Sequence, residues 1–133
     1  MNFKEYLELF ISFVGATVSY FFGEVDGLMH ALLAFAILDY ITGIISAGVA
    51  RKLSSSIGFK GIAKKITIFI IVGVSHVIDR ELLGGTALLR DAVIFFYLAN
   101  EGLSILKNAV AIGIPIPDTI KDKLLAFHDK NKK

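Results

Sequence analysis

One long apolar segment, Gly27 to Ala50, constrains this chain more than any other feature. It is long enough to cross a bilayer, whose hydrocarbon core of about 30 Å needs roughly 20 helical residues, and it carries a single carboxylate, Asp39. A charged side chain at the middle of a span costs about 2.5–3.5 kcal/mol on insertion scales. We therefore expect an integral membrane protein in which Asp39 faces protein or water rather than lipid.

Composition supports this prediction and excludes several kinds of site. The chain has 133 residues, 55% of them hydrophobic and 20% charged, and a mean hydropathy of +0.70, which do not describe a soluble domain. The absence of cysteine excludes disulfides and thiolate metal sites. His30, His76 and His128 lack zinc-binding spacing, and Asp39 and Asp79 lie at different depths, so no protease dyad is expected. We expect no metal, no cofactor and no enzymatic activity.

Hydropathy predicts an all-α fold of about four transmembrane helices. Their expected ranges are 6–23, 27–50, 62–79 and 86–113, within a transmembrane domain of residues 1–114. The first is short, so it either spans with its flanking residues or lies at the membrane interface. Pro115 and Pro117 end the fourth helix, and residues 115–133 form a basic tail. In this tail, the helical spacing of Ile120, Leu124 and Phe127 among lysines predicts a short amphipathic helix able to lie on anionic lipid.

The distribution of lysine and arginine predicts the orientation. The link before the second helix holds only Glu24 and Asp26, whereas the link before the third is basic, with Arg51, Lys52, Lys60, Lys64 and Lys65. Basic loops stay in the cytoplasm, so both termini are expected there, and Lys64 and Lys65 are expected to snorkel to the surface. The sequence Gly58-Phe-Lys-Gly61 matches an RNA-binding loop only superficially, because that module needs a soluble sheet, and no nucleic-acid partner is expected.

Small residues mark one face of the first helix. Gly15, Ser19 and Gly23 form two overlapping steps of four residues, a spacing that allows helix backbones to approach closely in lipid. Packing within the molecule and association between copies both remain open for this face.

Polar residues form stripes on the second and fourth helices. The stripe of the second helix contains Asp39, Thr42, Gly43 and Ser46, and that of the fourth contains Asn100, Glu101, Ser104, Lys107 and Asn108. Either stripe can form a pore wall or a polar helix contact, or can simply fix the fold. In each case the polar face should avoid lipid tails.

An ordered set of these motifs resembles the toxin-secretion and phage-lysis holins, including the clostridial toxin-export holin and holins of phages that infect Gram-positive hosts. The resemblance covers roughly residues 36–125. It is carried by Asp39 with Thr42-Gly43, Ser46-Ala47, Arg51-Lys52, Ser54 to Gly58, Gly61, Lys64-Lys65, Asp79, Asn100 to Asn108, Gly113 and Pro115-Ile116-Pro117 followed by Lys121 and Lys123.

The resemblance implies a multi-pass protein of the bacterial cytoplasmic membrane that forms homo-oligomeric lesions. Such lesions would release an endolysin during phage lysis, or a toxin during secretion, without necessarily touching that cargo. Two alternatives remain open at this point. One is a small oligomeric ion channel or transporter that uses Asp39 and Glu101, and the other is a membrane subunit that recruits a partner through the tail after Pro117.

Overall fold

The computed structural model describes residues 1–132, without the side chains of residues 124 and 127–132. Five helices make up 82% of the chain, and the described residues contain no strand, which confirms the predicted all-α fold. The helices are α1 (Phe3–Phe22), α2 (Gly27–Val49), α3 (Ser55–Glu81), α4 (Leu88–Ile112) and α5 (Asp118–Lys132). In the described part of the chain, α2 and α3 are the two helices long and apolar enough to cross a membrane.

Capping residues determine where α2 and α3 begin. The Asp26 side chain accepts a hydrogen bond from the Met29 backbone nitrogen at 3.1 Å, and the Ser54 hydroxyl accepts one from that of Ile57 at 3.2 Å. Because Ser54 is the cap, α3 begins at Ser55, seven residues before the expected start at 62. Most of the segment read from sequence as a basic loop is therefore helical.

Helices α2, α3 and α4 form the core, and α2 and α4 share the most extensive contact. Apolar residues from all three helices are buried together at its centre: Met29, Leu32, Ile68, Val72 and Ile94. Near the start of α3, Gly58 and Gly61 lie against the Tyr40 ring, where a Cβ at Gly61 would be 3.2 Å from the ring. The sequence Gly58-Phe-Lys-Gly61 thus packs a helix against a tyrosine.

Helix α1 packs only by its C-terminal end. Phe21 fits against Gly73 of α3, where an added Cβ would lie 2.0 Å from the ring, and Tyr20 donates a hydrogen bond to Glu81 at 3.1 Å. Over the rest of α1 the large side chains are exposed; Phe10, for example, is 64% exposed. Among the described residues the backbone of α1 comes close to that of α3 and of no other helix, while the Phe22 side chain packs against the apolar core.

Helix α5 lies against the C-terminal part of α4. It begins at Asp118, directly after Pro117, as expected from the prolines. The amphipathic face predicted for this helix depends on Leu124 and Phe127, whose side chains lie outside the described residues. That face therefore remains a prediction.

Candidate functional site

A buried network of polar side chains joins α2, α3 and α4, and we call it the polar seam. It consists of Asp39, Thr42, Lys65, Glu101 and Asn108. The two carboxyl groups are almost fully buried, with Asp39 7% and Glu101 3% exposed. Each of the three core helices contributes at least one charged side chain to this network.

Lys65 is at the centre of the polar seam. Its Nζ donates hydrogen bonds to Asp39 Oδ2 and to Glu101 Oε2, the latter at 2.5 Å. Lys65 lies ten residues into α3, so at about 1.5 Å per residue it is roughly 15 Å from the start of the helix. The expected snorkelling of Lys65 to the surface is therefore wrong. Lys64, by contrast, is exposed.

Asn108 connects the polar stripes of α2 and α4. Its Nδ2 lies 3.1 Å from Asp39 Oδ1 and 3.0 Å from Thr42 Oγ1, and it approaches an ideal Cβ on Gly43 to 3.6 Å. The Thr42 hydroxyl donates within its own helix, to the Leu38 carbonyl at 2.8 Å. The buried polar groups of the two stripes are therefore satisfied inside the molecule, by each other and by Lys65.

A cavity of about 630 Å³ between α3 and α4 reaches the charged part of the polar seam. Asp39, Lys65 and Glu101 form its inner wall, and Asn100, Ser104 and Lys107 also line it. Lys107 is exposed, and Ser46, the last residue of the α2 stripe, is half-buried and takes no part in the described side-chain hydrogen bonds. The structure therefore gathers nearly all the predicted polar residues at one place.

A second polar cluster, which we call the outer clamp, ties together the starts of α2 and α4 and the end of α3. The fully buried Asp79 accepts hydrogen bonds from the backbone nitrogens of Leu89 and Arg90, at 3.1 and 2.8 Å, and so caps α4. The Arg90 guanidinium binds Asp26 with two hydrogen bonds, at 2.8 and 2.9 Å. This bidentate pair joins the starts of α2 and α4.

The outer clamp gives a pH-dependent contribution to stability. Its Arg90 hydrogen bond lowers the pKa of Asp26 from 3.8 to about 2. A carboxyl group whose pKa is lower in the folded than in the unfolded chain stabilises the fold at pH values above the unfolded pKa. This contribution is lost as the pH falls from about 4 toward 2. Asp26→Asn keeps a good helix cap but removes the ion pair.

We therefore expect Asp26→Asn to unfold in detergent at a lower temperature than wild type at pH 6, with the difference shrinking below about pH 4. Thermal unfolding followed by circular dichroism at several pH values measures this, and Asp118→Asn, far from the clamp in sequence, serves as the control. A difference that stays constant across that pH range would show that Asp26 does not act through its charge.

The residues predicted for helix packing on α1 have different environments. Gly23 ends α1 with a φ of +70° and lies against the His76 ring, where a Cβ would approach to 2.5 Å, so it packs within the molecule. Gly15 has nothing within 4 Å of an added Cβ. Ser19 is exposed, and its carbonyl accepts the Gly23 backbone N–H at 2.8 Å.

Sequence reasoning missed the ion pair that Arg90 forms with Asp26 and the role of Asp79 as a helix cap. It also assigned Lys65 to topology alone. Lys65 lies three residues before Ile68 and four after Gly61, on the buried face of α3. That spacing is the sequence signal from which its inward position could have been predicted.

These features define a class of protein: a small helical membrane protein whose ionisable groups are paired between its helices. The model of the bacteriophage holin family matches residues 16–129, so the chain belongs to the bacteriophage holin family. The match begins within α1, further toward the N-terminus than the resemblance carried by the motifs. Family membership indicates a protein of the cytoplasmic membrane that is not an enzyme.

The chain is also similar to proteins from a phage and from bacteria, of which the phage protein is named as a holin. A protein of Bacillus phage phi105 named "Probable holin" is 38% identical over 113 residues, 85% of this chain and 82% of the relative. An uncharacterized Listeria innocua protein is 50% identical over 117 residues, 88% of this chain and 83% of its own. A 14.9 kDa Clostridium perfringens protein is 38% identical over 129 residues, 97% and 98% of the two chains. No solved structure matches.

Proposed function

We propose that this chain is a four-span holin with both termini in the cytoplasm. Copies of it associate in the cytoplasmic membrane and open lesions through which an endolysin, or a toxin, leaves the cell. Family membership and the similarity to the phage phi105 protein support a holin role. The observation that carries the proposal is the polar seam, whose charged groups are paired within one copy although they lie deep within its apolar helices.

The helix directions are consistent with four crossings. Helices α2 and α4 run parallel, because Asp26 pairs with Arg90 at their starts while Asp39 contacts Asn108 further along. Helix α3 runs opposite to both, since its end caps α4 through Asp79 and its earlier part contributes Lys65. The basic segment after α2 and the tail after α4 therefore lie at the same end of the bundle, where the distribution of lysine and arginine places the cytoplasm.

A single copy cannot enclose an opening for a folded enzyme. A helix is about 10 Å across with its side chains, and a small enzyme domain is about 30 Å wide, so a ring of on the order of ten or more helices is needed. We propose that copies meet first through the unpaired face of α1. The polar stripes of α2 and α4 then separate from each other and line water.

Lysis after induction tests the proposal directly. The chain is expressed in a bacterium with and without a cytoplasmic endolysin, and culture turbidity is followed. Abrupt clearing only when both proteins are present is the expected result, because the endolysin reaches the wall only through a lesion. Growth that continues with both proteins in the membrane and cytoplasm would contradict the proposal.

A second function, an oligomeric ion channel or transporter, is favoured by one observation, the polar cavity that reaches Asp39 and Glu101. Liposomes containing the purified protein and loaded with a small dye and a large dextran separate the two functions. A holin releases both molecules once lesions open, whereas a channel or transporter passes ions and retains dextran. Deletion of the residues after Pro117 tests the recruiting subunit in the same assay, because a recruiting tail would leave permeability unchanged.

A further inference from the structure

The charges of the polar seam do not balance. Asp39 and Glu101 supply two carboxyl groups, and among the side chains that the structure describes Lys65 supplies the one cation that pairs with them. With all three ionised, one negative charge would remain in a site whose carboxyl side chains are at least nine-tenths buried. An uncompensated buried charge costs several kcal/mol, so the site requires one more positive charge.

Neighbouring cations do not supply that charge. Lys64 of α3 and Lys107 of α4 line the cavity but are exposed at its rim, and neither forms an ion pair within the described residues. Lys121 of α5 lines a separate, smaller cavity with Lys107. Water and salt screen charges at such exposed positions, so they compensate a buried carboxylate only weakly. Tyr97 lines the large cavity, and Tyr40 lines a third, small cavity that also reaches Asp39 and Lys65; neither tyrosine carries a positive charge.

The hydrogen-bond donors distinguish the two carboxyl groups. Asp39 accepts from Lys65 at one oxygen and from Asn108 at the other, so both of its oxygens have donors. Glu101 accepts a described hydrogen bond only from Lys65, at Oε2. Because Asp39 Oδ2 and Glu101 Oε2 both bind the same Lys65 Nζ, the two carboxyl groups lie side by side, where one hydrogen bond can join them. A proton on Glu101 would make that bond and satisfy both groups.

From this geometry we propose that the polar seam is a binding site for a single proton, which Glu101 carries and shares with Asp39 beside Lys65. The proton makes the seam electrically neutral and holds α4 against α2 and α3. The cavity between α3 and α4 gives water access to the site. Loss of the proton leaves two carboxylates with one lysine, which weakens the contact between the stripes of α2 and α4.

Infrared spectroscopy of the protein in lipid vesicles tests this site, because a protonated carboxylic acid has a carbonyl band that a carboxylate lacks. We expect wild type to show a band from a buried protonated acid at pH 7 and to lose it at alkaline pH. Glu101→Gln, which keeps the shape of the side chain, should lack the band. Glu8→Gln, at an exposed position that pairs with Lys4, should keep it.

Thermal unfolding in the same vesicles supplies the second measurement. The unfolding temperature of wild type should fall over the pH range in which the band disappears, whereas that of Glu101→Gln should not. A missing band at pH 7 would overturn the proposal. So would an unfolding midpoint that does not change with pH but differs between buffers with Na⁺ or K⁺ and buffers with choline. Either result would mean that both carboxyl groups are ionised. Neither measurement involves permeability, so the result is independent of whether the protein forms lesions.

Discussion

Lys65→Met is expected to unfold far more readily than wild type and to accumulate poorly in the membrane. The substitution keeps much of the apolar stem of the side chain but removes the cation that, within the described part of the chain, pairs with both Asp39 and Glu101. Removing one partner from a buried ion pair typically costs about 3–5 kcal/mol, because the remaining charge is left without compensation. Thermal unfolding in detergent and the amount of protein in isolated membranes measure the effect.

Two variants make this prediction specific. Lys64→Met changes the adjacent lysine, which is exposed and outside the described ion pairs, so it should behave nearly as wild type. In the triple variant Lys65→Met, Asp39→Asn, Glu101→Gln, no charge remains in the polar seam, and stability should largely return. Equal stability of Lys65→Met and Lys64→Met would mean that Lys65 is not paired inside the bundle.

The pairing of the polar stripes could be anticipated from the sequence, whereas the inward position of Lys65 was missed. Helical spacing places Asp39 and Thr42 on one face of α2, and the same argument applies to Glu101 and Asn108 on α4. Polar faces in an apolar helix avoid lipid, so each stripe had to contact protein or water. In the structure Asn108 of α4 contacts Asp39 and Thr42 of α2, and Lys65 of α3 joins Asp39 to Glu101.

Lys65 was misplaced because hydropathy locates the start of a membrane helix poorly. A helix starting at residue 62 puts Lys65 in the first turn, where snorkelling is easy. The Ser54 cap starts α3 at Ser55 instead, which moves Lys65 two turns deeper and onto the buried face. Recognition of that cap was the step needed to predict the central ion pair.

The outer clamp illustrates a different limit. Asp26 and Arg90 are 64 residues apart in the sequence, and their pairing follows only once α2 and α4 are known to be neighbours. Hydropathy and the distribution of basic residues predict how many helices cross the membrane and in which direction. They do not predict which helices contact each other. The same limit left the contacts of α1 open, and in the structure Gly23 packs within the molecule while Gly15 faces open space.

Gly15→Leu is expected to delay or abolish lysis without unfolding the protein. An added side chain at Gly15 meets nothing within 4 Å, so a single copy accommodates leucine, which is also a better helix former than glycine. Helices in lipid associate mainly through close backbone approach at small residues, and leucine would prevent that approach between α1 helices of two copies. We expect the association constant to fall at least about tenfold, which corresponds to about 1.4 kcal/mol.

Chemical crosslinking in vesicles at increasing protein density measures association, and the onset of clearing with a coexpressed endolysin measures lysis. Gly48→Leu is the matched control, because Gly48 also has open space around it but lies on α2, away from the small-residue face of α1. If Gly15→Leu and Gly48→Leu crosslink and lyse alike, the α1 face does not join copies. Assembly would then have to use another exposed surface, such as the all-apolar groove between α2 and α3 lined by Leu33, Ile37, Ile66 and Ile70.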